Sequence, residues 1–167
     1  MRAGEQVPFN GTFNPILMSA TPLDATHLKY NVDVIIRATQ LGNARGPAYF
    51  VLDLTTFSYV GEATWAAANG DAVSITFAGQ FIPTSTPGLF DNVETIEVVG
   101  GTGRFEGATG ACIASGSLMP SRSQLPRLFR SREPSPRPVR SRSRFRCHDA
   151  AKGRKTKTRH ERKKYEQ

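Results

Sequence analysis

Two polar side chains in this chain fall on a face that is otherwise apolar. Phe90, Ile96 and Val98 share one parity of a strand-like stretch, and Asn92 and Glu94 lie in register with them. If that face points inward, strand alternation carries Asn92 and Glu94 inward too. A carboxyl group in apolar surroundings either finds a partner or holds its proton above the ordinary carboxylate range. Such a group can anchor a ligand or exchange a proton with it. The alternative is a shift of parity at a bulge, which would leave both residues in water.

Other chemistry-bearing residues point to structural roles. His27 lies on the polar parity of its segment, with no partner identified by sequence, and reads as a rim histidine making a structural hydrogen bond. The two cysteines, Cys112 and Cys147, have neither metal-ligand spacing nor an adjacent base, which predicts two reduced thiols. Asp33, Asp53 and Glu62 fall on polar strand faces and read as solvated. The run Gly-Gly-Thr-Gly-Arg-Phe-Glu-Gly-Ala-Thr-Gly at 100–110 has neither the dinucleotide-binding glycine spacing nor a Gly-Lys-Ser/Thr ending. It reads as a tight β-connection. No Ser-His-Asp pattern, metal cluster or cofactor motif is legible, so no metal and no cofactor are expected.

The elements that must position these residues are strands. Leu28, Tyr30, Val32, Val34 and Ile36 alternate with Lys29, Asn31, Asp33 and Arg37. Phe50, Leu52 and Leu54 continue an apolar face. Phe57, Tyr59, Gly61, Ala63, Trp65 and Ala67 share one parity, and Asn69-Gly70 follows, predicting a type I′ hairpin turn into Val73, Ile75, Phe77 and Phe81. Trp65, Phe77, Tyr30 and Phe50 are expected to be largely buried. No helical period appears before residue 120. Many short strands separated by Gly, Pro and Asn turns predict an all-β sandwich or barrel.

Four motifs sharpen this reading. Ala-Thr-His-Leu at 25–28, Gly-Glu-Ala-Thr at 61–64, Ala-Ala-Asn-Gly-Asp at 67–71 and the glycine-rich run at 100–110 occur in an order that resembles the allene oxide cyclase and dirigent superfamily, and in particular the microbial allene oxide cyclase barrel-like proteins. The resemblance covers residues 5–118, roughly, and implies a small antiparallel β-barrel. It implies a small apolar ligand, bound or oriented within the barrel, with Trp65, Phe77, Asn92 and Glu94 as candidate ligand-binding residues. It also implies an alternative, an isomerase or cyclase acting on such a substrate. The motifs shared are structural and carry no catalytic residue across.

Charge divides the chain near residue 120. Residues 1–120 carry five Lys and Arg against ten Asp and Glu, whereas 121–167 carry seventeen against four. Whole-chain basicity therefore belongs to the tail. The stretch after Pro120 is rich in Arg, Ser and Pro, and it predicts two units: a barrel at 1–119 and a disordered basic tail at 120–167. Where relatives continue with closing strands, this mixture reads as the product of a shifted frame in a GC-rich gene. The barrel is then expected to lack its closing strand and to self-associate through an open edge. The tail could bind polyanions, nucleic acid included, non-specifically. The apolar runs are too short to span a bilayer as helices. The start, Met-Arg-Ala-Gly-Glu-Gln, has no hydrophobic leader, which predicts a cytoplasmic protein, or a secreted one if translation begins upstream.

Overall fold

The computed structural model describes residues 6–118 and 142–151. Eight strands form a closed antiparallel barrel in chain order. They are β1 (Gln6–Pro22), β2 (His27–Ala38), β3 (Gly42–Asp53), β4 (Ser58–Ala67), β5 (Ala72–Pro83), β6 (Phe90–Gly101), β7 (Gly110–Leu118) and β8 (Arg142–Ala151). A single 3-10 turn, Gly103–Phe105, interrupts the connection from β6 to β7. Among the described residues no helix is long and apolar enough to cross a membrane.

Closure is the first departure from expectation. The barrel does not lack its closing strand. Arg142–Ala151, within the stretch read as a disordered tail, forms β8 and pairs with both β7 and β1. Its sequence alternates in the manner of a barrel wall, with Ser143 and Phe145 buried and Arg144 and Arg146 exposed. The arginines that made the segment look unfoldable lie on the outer face, where charge costs little. The remaining tail residues, 119–141 and 152–167, lie outside the described residues, as does any polyanion contact they would make. The reduced-thiol expectation is corrected as well: Cys112 is disulfide-bonded. The only other cysteine, Cys147, stands opposite it in the β7–β8 register.

One end of the barrel is sealed. Ile36, Leu41, Ala44, Ala67, Val73, Val98, Phe105 and Ala108 are all buried there. The glycine-rich run supplies the plug. Phe105 turns inward at 5 % exposure, and Arg104 lies 3.3 Å from Asp71 across the neighbouring hairpin. That hairpin has a three-residue loop, Ala68-Asn69-Gly70, and not the expected type I′ turn. Among the described non-glycine residues only Phe57 has positive φ, so Asn69 does not, while Gly70 has φ 86°. Gly70 N–H donates to Ala67 and Ala67 N–H to the carbonyl of Asp71. This is the turn-plus-bulge form, in which a single left-handed glycine suffices.

Candidate functional site at the open end of the barrel

The opposite end carries the β1–β2, β3–β4 and β5–β6 connections; β7 ends and β8 begins there too, with 119–141 outside the described residues. Side chains at this end point inward yet remain half-buried: Leu17, Leu28, Phe50, Leu54, Phe77 and Phe81. An inward-facing ring such as Phe50 or Phe77, on a strand paired on both sides, meets solvent through the barrel interior, so among the described residues this end is open. An eight-stranded barrel is just wide enough to be filled by side chains or to hold one small ligand. Of the four rings expected to be largely buried, Trp65 and Tyr30 are 3 % and 9 % exposed, and Phe50 and Phe77 are half-buried.

Aromatic rings line this end. Tyr30 and Phe50 stack with centroids 5.0 Å apart. Tyr59 lies 4.7 Å from Phe81, 5.3 Å from Phe50 and 6.2 Å from Phe77. Gly61 makes room for them, because a Cβ there would come within 2.6 Å of the Phe77 ring and 2.7 Å of Phe50 Cβ. Below them Trp65 reaches across the barrel to rings on β1 and β8, 6.4 Å from Phe13 and 5.8 Å from Phe145.

Asn92 and Glu94 lie within this apolar end. The register of β6 with both neighbours runs unbroken from Phe90 to Val98, so no bulge flips their parity. They are 6 % and 7 % exposed. Both converge on one hydroxyl: Tyr59 Oη lies 2.5 Å from Asn92 Oδ1 and 2.7 Å from Glu94 Oε2. Gly79, opposite Glu94 in the β5–β6 register, allows this approach. A Cβ at Gly79 would sit 2.6 Å from Glu94 Cβ and 2.6 Å from the Tyr59 hydroxyl.

Tyr59 has a single hydroxyl proton and two acceptor oxygens, Asn92 Oδ1 and Glu94 Oε2, within hydrogen-bond distance. Two arrangements leave no oxygen pair without a proton between them: a protonated Glu94 donating to Tyr59 while Tyr59 donates to Asn92, or an Asn92 amide turned to donate its N–H to Tyr59 while Tyr59 donates to the carboxylate. Burial pushes the Glu94 carboxyl above its ordinary range, and hydrogen bonds from Tyr59 and Asn92 offset this only in part. Burial, followed by the Glu94 charge, pushes the Tyr59 hydroxyl up as well. The cluster is an acid whose carboxyl burial pushes above its ordinary range, a phenol and an amide, set in an apolar wall.

The sequence-level candidates thus separate. Phe77, Asn92 and Glu94 meet at the open end, and Trp65 lies beneath them among other rings. Tyr59, the hub of the cluster, was not singled out by sequence. Its signal was available: it begins the inward parity that runs through Trp65, at the same end of the barrel as Asn92. His27 belongs to the rim, where its Nδ1 lies 2.9 Å from Asp24 Oδ2. Asp24 also accepts from the Thr26 and His27 backbone N–H groups, and the Thr26 bond leads in lowering its carboxyl to about 2. Asp33 pairs with Arg45 on the outer wall. Comparison with protein families, with curated proteins and with solved structures finds no match to this chain.

Proposed function

We propose that the open end of the barrel binds a small, mainly apolar molecule, with Tyr59, Asn92 and Glu94 as its polar contact. One observation carries this reading. A hydrogen-bonded acid, phenol and amide are held inside a half-open aromatic interior where structural need alone would favour apolar residues. The order of the four motifs, which resembles the allene oxide cyclase and dirigent superfamily, supports the same ligand class. The test is titration with N-phenyl-1-naphthylamine, an uncharged apolar fluorophore. The native chain should bind one equivalent. Glu94→Gln, which keeps the neutral shape, should bind it within about threefold, while Glu94→Lys should bind it at least tenfold more weakly because it buries a charge. Equal affinity in all three would overturn the reading.

The raised Glu94 carboxyl favours a second reading, an isomerase or cyclase. A protonated carboxyl backed by a phenol can give a proton to a substrate oxygen and recover it after rearrangement. Catalysis would separate the readings. Glu94→Gln would abolish turnover while keeping probe affinity, whereas a purely binding barrel would show no turnover in either form.

A further inference from the structure

Trp65 Nε1 is fully buried and has no hydrogen-bond partner among the described residues. Native proteins pair nearly all buried polar groups, and an unpaired one forfeits its solvation without compensation. The indole sits beneath the Tyr59 cluster, against Phe13 and Phe145, with Phe77 packed on the same core. A phenylalanine would fill much of this space without stranding an N–H.

Charge narrows what could satisfy that donor. Described inward-facing positions carry no Lys, Arg or His. The described inward residues are apolar, glycine or the disulfide-bonded Cys112, apart from the Tyr30, Tyr59 and Trp65 polar tips and the side chains of Asn92, Glu94 and Ser143. An anionic ligand would enter without a countercharge and next to a carboxyl group. A cation would find a single acid, and burial disfavours the charged form of that acid. An uncharged molecule with an acceptor oxygen meets neither penalty.

We infer that Trp65 Nε1–H is a hydrogen-bond donor to the ligand, and that the ligand is an uncharged hydrophobe bearing a carbonyl or ether oxygen. The inference rests on the open-end binding reading above. The ligand reaches the indole by displacing Phe13, the half-buried ring against it. Its apolar body then lies among Phe50, Phe77 and Phe81.

The experiment compares 2-octanone with octane as competitors against N-phenyl-1-naphthylamine, on the native full chain and on Trp65→Phe. In the native chain the ketone should compete about two- to tenfold better, the range of one net hydrogen bond. In Trp65→Phe that preference should vanish while octane competes as before. An unchanged ketone-to-octane ratio overturns the inference and leaves the binding reading intact. Failure of the fluorophore and both competitors to bind sinks both. A second readout needs no variant. Trp65 is the only tryptophan, so the single indole N–H proton resonance should move downfield with 2-octanone and stay in place with octane. Identical responses to the two compounds contradict the inference even if Trp65→Phe fails to fold.

Discussion

At the scale of single residues, three side chains and one glycine build the polar cluster of the open end. Gly79 is where Tyr59 and Glu94 come closest to the backbone, so Gly79→Ala should force them apart. A destabilisation of about 1–3 kcal/mol is expected from overpacking, measured by urea denaturation, together with loss of the Glu94 stability signature described next. Glu94 holds its proton more tightly folded than unfolded. Between the unfolded pKa and the raised folded one, the native state therefore binds more protons, and stability falls as pH rises. The contribution is fully present below the ordinary value of 4.5 and is lost as pH climbs through the folded value. Asp24 behaves oppositely. Its carboxyl is lowered to about 2, so its contribution is present above 3.8 and disappears on acidification. Denaturation midpoints of native and Glu94→Gln protein across pH 4–9 should converge at low pH, with the variant gaining relative stability as pH rises. Parallel profiles would mean that Glu94 is ionised in the fold. Asn92 and Glu94 could be placed in sequence as inward residues if parity held. That Tyr59 joins them could not, because it depends on how β4 and β6 face each other across β5.

At the scale of elements, most strands were legible because their alternation is strong. β2 reads cleanly from Leu28 to Ile36, and β4 from Tyr59 to Ala67. The glycine-rich run was legible as a connection, and its burial of Phe105 as a plug was not. β8 was missed for a physical reason. Its period-2 signal rests on Ser143, Phe145 and Cys147, and only Phe145 is a large apolar residue, set among arginines. Composition measured over the whole tail outweighed alternation measured over six residues. A strand with so little apolar surface needs other support, which the Cys112 disulfide supplies. Reduction with dithiothreitol should lower stability by about 2–4 kcal/mol, read from the urea midpoint, and Cys112→Ser should do the same without reductant. A midpoint unchanged by either would show that β8 holds its place without the covalent link. Phe145 should matter as much: Phe145→Ala should cost about 3–5 kcal/mol, since it is 4 % exposed and contacts Phe9, Phe13 and Trp65.

At the scale of the whole molecule, the barrel has two unlike ends. One is plugged by Leu41, Phe105 and Ala108, and the other leaves inward rings half-buried around a polar cluster. The outer wall also carries exposed apolar residues, among them Val60 and Ile113, so an apolar molecule has somewhere else to adhere. The decisive measurement is a backbone amide NMR titration of the full chain with N-phenyl-1-naphthylamine. Saturable shifts should gather at Tyr59, Phe81, Asn92 and Glu94 and be absent from the plug at 102–108. Shifts confined to the outer wall around Val60 and Ile113, or none at all, would contradict a binding site within the open end.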